Sequence, residues 1–180
     1  FHITFFWLGY SVLDLIETEQ SQFSVEADDW TIYPPPCSGC SKTYAAPQSS
    51  CVSEPGIILG GPQILDPTTQ SEYSFQKSYT GLAPHNFIAV SVTFWYFGDR
   101  NKIARDLPLF DFSIDDVVFP APFLPISNTC LDPIFKSKVI IQFSTQAHTS
   151  STLTLKIQSK YKISEIQFGF RDVVLHFSIN

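Results

Sequence analysis

The chain has 180 residues, 44% of them hydrophobic and 16% charged. That is long enough for one domain with a substantial core and too apolar for a disordered tail. Its net charge of −6, with 17 Asp and Glu against 11 Lys and Arg, would be repelled by a phosphate backbone, and no basic stripe offsets it, which argues against nucleic-acid binding.

No stretch of the sequence reaches the ~20 apolar residues that a membrane span needs. Seventeen Phe, seven Tyr and three Trp suit pleated, half-buried surfaces, and 13 Pro with 8 Gly supply the punctuation of a many-stranded chain. The expectation is an all-β protein. Met is absent and the sequence opens on Phe1, so it reads as a processed or truncated product.

Residues 1–22 read as an N-terminal extension. Phe1, Ile3, Phe5 and Trp7 fall on one face of a strand, with His2, Thr4, Phe6 and Leu8 on the other. Residues 1–10 are apolar enough to resemble a signal-peptide core but lack a basic flank. Residues 11–20 fit a short helical turn, because Leu8, Val12, Leu15 and Ile16 have helical spacing. Residues 17–22 read as a polar hinge.

The main domain is expected over residues 23–180. Residues 29–33 read as a strand that Pro34, Pro35 and Pro36 halt, and residues 37–56 as a loop rich in Cys, Ser and Pro. That loop holds Cys37, Cys40 and Cys51; the fourth cysteine is Cys130. An even number in this setting favours disulfides and an oxidising compartment, and all three pairings stay open. Cys37 and Cys40 also have the spacing of a zinc knuckle, although a second such pair is missing.

Residues 57–59 form a short strand turned by Gly60, Gly61 and Pro62. Ile88, Val90, Val92, Phe94 and Tyr96 then mark one face of a long strand, with Phe87, Ala89, Ser91, Thr93, Trp95 and Phe97 on the other. The alternation returns at Val139, Ile141 and Phe143, at Leu153, Leu155 and Ile157, and at Ile166, Phe168 and Phe170, before a last strand over residues 173–179. Residues 120–125 read as an extended crossover. No long amphipathic helix is expected, and the pattern predicts an antiparallel β-sandwich.

Signals for chemistry are sparse. None of the four histidines, His2, His85, His148 and His176, lies in a nucleophile motif, and no Gly-x-Ser-x-Gly occurs, so no enzyme is expected. His85, after Pro84 at a turn into the long strand, reads as a ligand of loop backbone, and His176 as a surface or interface residue. Asp115 and Asp116 would point to opposite faces if they stood on a strand. Asp111 and Asp115 are better placed to share a face, either as calcium ligands or as a solvated strand edge. Arg171 reads as structural, stacked or forked onto a carboxylate within the sheet. No phosphate-cradling glycine loop is present, and no cofactor is expected. The Ser- and Thr-rich stretches at 67–71 and 144–152 read as exposed loops open to O-glycans.

Several phrases occur in a telling order: Ile57-Ile-Leu-Gly-Gly61, then residues 75–85 ending Leu82-Ala-Pro-His85, then the strand at 88–97 followed by Gly98-Asp99, and finally Phe168-Gly-Phe-Arg-Asp172. Over residues 23–180 this order resembles a β-sandwich domain of large secreted or cell-surface ciliate proteins. The resemblance implies a jelly-roll-type sandwich outside the cell or on its surface. The acidic stretches often seen in such domains are reduced here to 98–100 and 164–167. The chain also looks like a protomer of the β-rich helical fibrils found in fresh water.

Two functional expectations follow. In the first, the chain is a structural subunit of an extracellular fibril or coat. The apolar strand carrying Phe1, Ile3, Phe5 and Trp7 completes a neighbour's sheet, repeated head to tail into a filament of identical copies, and Phe87, Trp95 and Phe97 form a second contact surface. In the second, the chain is a carbohydrate-binding or adhesion module that meets glycans through exposed aromatics such as Trp95 or Tyr79.

Overall fold

The computed structural model describes residues 8–16, 20–33, 35, 41–46, 56–61, 72–98, 110–120, 135–159 and 166–179. Cys37, Cys40, Cys51 and Cys130 lie outside this set, as do Phe1, Ile3, Phe5, Trp7 and the crossover at 121–125.

Two antiparallel sheets pack face to face. The first holds β1 (Leu8–Asp14), β3 (Thr43–Ala46), β4 (Gly56–Gly60), β6 (Phe87–Gly98), β9 (Phe135–Ala147) and β11 (Ile166–Ile179). Its order is β3-β4-β11-β6-β9, with β1 beside β4 along the same edge of β11. The second sheet runs β2 (Thr31–Tyr33), β5 (Ser74–Thr80), β10 (Thr152–Ser159), β7 (Phe110–Ile114) and β8 (Val117–Pro120). Among the described residues one helix, α1 (Gln20–Asp28), joins β1 to β2. From β4 onward the described strands alternate between sheets, except for the β7–β8 hairpin, which stays in one. That alternation makes the fold an antiparallel β-sandwich of jelly-roll type.

The core is the set of residues that strand alternation turns inward. Ile88, Val90, Val92 and Phe94 of β6 face Phe75 and Tyr79 of β5, Leu153, Leu155 and Ile157 of β10, and Phe110 and Phe112 of β7. Phe75 meets Phe168 and Phe170 edge-on, each at 5.2 Å between ring centroids, and Phe110 meets Phe168 at 4.5 Å. Such pairs add about 0.5–1.5 kcal/mol each beyond the area they bury.

Strand β11 changes phase along its length. Phe168 and Phe170 are even-numbered core residues, whereas Val173, Leu175 and Phe177 are odd. One residue must therefore be inserted, because strand faces alternate with period two. A bulge supplies it between Arg171 and Val174, with Asp172 at φ 51°. The sequence pattern read here as two strands is one continuous strand, and the Asp172 amide donates to the Leu15 carbonyl at 3.0 Å.

The structure departs from expectation elsewhere too, as at residues 144–147, which belong to β9 and not to an exposed loop. Residues 11–14 are strand, paired from Leu8 to Asp14 with Ile179 to Val173 of β11, not a helical turn. The helix lies later, and includes part of the supposed hinge. It carries one buried apolar pair, Phe23 and Ala27, too little to give a sequence signal, and Glu26 fixes it by accepting the Leu15 amide at 2.7 Å. The loop at 37–56 contains a strand, β3, paired with β4. Asp115 and Asp116 form a tight turn with φ 47° and 66°, joining β7 to β8, instead of standing on a strand.

Candidate functional site

The inward residues of the second sheet are apolar and most of its outward residues are polar, and the strand registers line these into rows. Tyr33 of β2 pairs with Ser74 of β5, which pairs with Gln158 of β10, which pairs with Asp111 of β7. The next row is Thr31, Gln76, Lys156 and Ser113, ending at Val118 of β8. A third row holds Ser78 and Thr154, whose hydroxyls hydrogen-bond at 3.0 Å.

Tyr33 stands out in this setting. It is 69% exposed, a phenol ring held at the sheet edge while its neighbour Ile32 anchors the strand in the core. Gln158 donates its amide to Glu72 at 3.2 Å, which orients the side chain within the first row. The face thus offers one open aromatic ring beside hydroxyl, amide, carboxylate and ammonium groups at the ~4.8 Å spacing of adjacent strands.

Two of the aromatics expected to serve as contact surfaces, Trp95 and Tyr79, are buried. Trp95 is 1% exposed, on the outer face of the first sheet opposite the core. It pairs across β11 with Gly169, and the Arg171 guanidinium stacks on its ring at 4.9 Å. Arg171 also donates through Nε to Asp172 at 3.3 Å, so it both stacks and meets a carboxylate. Tyr79 is 7% exposed and points inward. Neither can be a platform for glycan or for another subunit. Phe87 is half-buried at the start of β6, and the side chain of Phe97 lies outside the described residues.

The candidate calcium ligands do not converge. Asp111 and Asp115 stand four residues apart along β7 and its turn, roughly 13 Å at strand rise. The Asp115 carboxylate is turned toward His148 and the Thr154 amide. Among the described residues no group of three His, Cys, Asp or Glu side chains is placed to hold a metal ion. His85 hydrogen-bonds loop backbone as expected, through Nδ1 to the Ala83 carbonyl at 2.7 Å. His176 lies exposed and bonds Ser11 of β1 at 2.9 Å.

Tyr33 was legible but unused. The run Trp30-Thr-Ile-Tyr33 alternates, with Trp30 and Ile32 buried and Thr31 and Tyr33 outside. Its partners Ser74, Gln158 and Asp111 come from three distant segments, and only the registers reveal the row.

No family model matches the chain, and no curated protein matches it. Among solved structures it is similar to the enzymatically active domain of tailspike protein 4 of bacteriophage CBA120, at 9% identity and TM-score 0.41, covering 92% of this chain. This chain spans 21% of that protein's length. It is also similar to a family 35 carbohydrate-binding module from Clostridium thermocellum, at 6% identity and TM-score 0.39, covering 94% of this chain and 98% of that one. A third is the mannan-recognising carbohydrate-binding module TmCBM27, at 8% identity and TM-score 0.39, covering 93% and 98%. With TM-scores below 0.5, the functional reading stands on this chain's own residues. No helix among the described residues is long and apolar enough to cross a membrane.

Proposed function

We propose that this is a carbohydrate-binding or adhesion module of an extracellular or cell-surface protein, and that it holds a glycan chain across the outer face of the second sheet. The observation that carries the reading is the open ring of Tyr33 at the head of an in-register row of Ser74, Gln158 and Asp111. A sugar ring has an apolar C–H face and an equatorial belt of hydroxyls. The first stacks on an aromatic, and the second is read by amides and carboxylates fixed beside it. Strands separated by ~4.8 Å present a new polar group at a spacing close to one sugar unit of an extended chain.

Affinity gel electrophoresis of the full chain tests this, with soluble neutral polysaccharides (xylan, galactomannan, mixed-linkage glucan) and acidic ones (pectate, alginate) in the gel. Retarded migration in at least one gel is expected, with Tyr33→Ala and Gln158→Ala each weakening it about tenfold, the loss of one good contact. Unretarded migration in every gel, or retardation untouched by both variants, would overturn the reading.

The fibril reading would have Phe1, Ile3, Phe5 and Trp7 complete the sheet of another copy. The strand next to them, Leu8–Asp14, pairs instead within its own chain, along β11. Filaments seen by electron microscopy in a preparation that no polysaccharide retards would put assembly first.

A further inference from the structure

At one end of the sandwich three connections are tied by a chain of hydrogen bonds. The Ala83 carbonyl, in the β5–β6 connection, meets His85 Nδ1 at 2.7 Å. His85 Nε2 meets His148 Nδ1 at 2.7 Å, and His148 Nε2 meets the Asp115 carboxylate at 2.8 Å in the β7–β8 turn. The other Asp115 oxygen accepts the Thr154 amide at 2.7 Å. His85 is 3% exposed, its ring edge-on to Phe177 at 4.7 Å and nearly parallel to that of His148.

Both ends of this chain, a carbonyl oxygen and a carboxylate, can only accept. Three hydrogen bonds therefore need three protons: one on His85 Nδ1, one between the rings, and one on His148 Nε2. Two neutral imidazoles carry only two. The third makes the pair a monocation, opposite the Asp115 carboxylate, and the imidazoles hold it because they are far stronger bases than a carboxylate.

From this count we infer that His85 and His148 form a latch that closes only while the two rings together hold one positive charge. Removing the proton leaves two lone pairs facing each other in one of the three contacts. Adding one puts N–H against N–H between the rings and a second charge beside the first. The latch therefore weakens on both the alkaline and the acid side.

Among the described residues, the titratable groups facing the pair are Asp115, with Asp116 next to it in the turn, and Tyr10 of β1. The Tyr10 phenol donates to the same Ala83 carbonyl at 2.9 Å. Burial raises its pKa above the ordinary value, which keeps it a neutral donor. Strands β6 and β11 and the residues leading into them contribute Asn86 and Phe177, and β10 contributes the Thr154 amide. What the latch secures is backbone: the His148 amide donates to the Asn86 carbonyl at 2.8 Å, and the Leu82 amide to the Ser151 carbonyl at 3.0 Å.

Amide hydrogen exchange of the full chain by NMR, from pH 4 to pH 10 and corrected for intrinsic rates, tests the inference. The His148, Leu82 and Thr154 amides should be best protected at intermediate pH and lose on the order of tenfold on each side, the value of about one hydrogen bond. The Leu155 amide at the centre of the sheet serves as the reference. Asp115→Asn separates the limbs, because its amide can donate to a neutral His148 Nε2. The third proton is then no longer needed, so the alkaline loss should vanish while the acid loss remains. His148→Gln should remove both limbs. A wild-type profile that is flat or changes in one direction only would overturn the latch, as would an Asp115→Asn profile that keeps its alkaline limb.

Discussion

The Tyr79 hydroxyl donates to Asp14 Oδ2 at 2.6 Å, linking the inner face of one sheet to the edge strand of the other. Asp14 is 3% exposed and accepts twice more, from Trp30 Nε1 at 3.2 Å and from Lys77 Nζ at 3.1 Å. Lys77 also reaches Asp29 at 3.4 Å, so its charge is balanced on both sides. This cluster fastens β1 and the end of α1 to β5.

Asp14→Ala removes the shared acceptor and leaves an ammonium, a phenol and an indole N–H in a closed site. Taking one partner from a buried ion pair costs about 3–5 kcal/mol. The urea midpoint should fall accordingly with little change in its slope, whereas Asp14→Asn, which keeps one carbonyl acceptor, should lose less.

Tyr79 gives the fold an alkaline limit. Burial first, and then the negative charge of Asp14, raise its pKa far above the ordinary 10.0. The folded state therefore keeps the proton that the unfolded chain releases above pH 10. Below pH 10 both states are protonated and the contribution is complete; above it, stability falls by about 1.4 kcal/mol per pH unit. Tyr79→Phe should be less stable at neutral pH, but its deficit against wild type should shrink steadily once the pH passes 10. Paired urea titrations at pH 8 and pH 11 would show it, and a constant deficit would refute it.

Gly60 is required at its position. Its φ is +86°, and a Cβ there would lie 2.8 Å from the Phe168 carbonyl oxygen and 3.1 Å from the Phe75 ring. Gly60→Ala therefore combines left-handed strain with a backbone clash, at a cost of about 1–3 kcal/mol. Gly81, also at positive φ with nothing within 4 Å, bears strain alone, so Gly81→Ala should lower the melting temperature less.

Tyr33→Ala should leave the unfolding midpoint within about 0.5 kcal/mol of wild type, because the ring makes its turn outward from an edge strand. A variant that loses polysaccharide retention while keeping this midpoint has lost a contact and not the fold. A clear loss of stability would instead make Tyr33 a packing residue.

Local alternation was enough to show the class of fold, the turn at Gly60 and Gly61, and the buried faces of β6 and β10, since core residues repeat every second position in a strand; the two segments read at 166–170 and 173–179 are one strand, joined by a bulge that alternation alone did not reveal. His85 as a backbone ligand and Arg171 as a stacked or paired cation also followed from their places in turn and strand. Helix α1 and strand β3 did not, because each is fixed by a partner outside its own segment, Leu15 for one and β4 for the other. Trp95 and Tyr79 were misjudged for a related reason. Alternation tells which face a side chain takes, but not whether Arg171 or Asp14 meets it there. The row from Tyr33 to Asp111 and the pairing of His85 with His148 join residues far apart in the chain. Only the strand registers and the packing of three connections at one end of the sandwich bring those groups within reach.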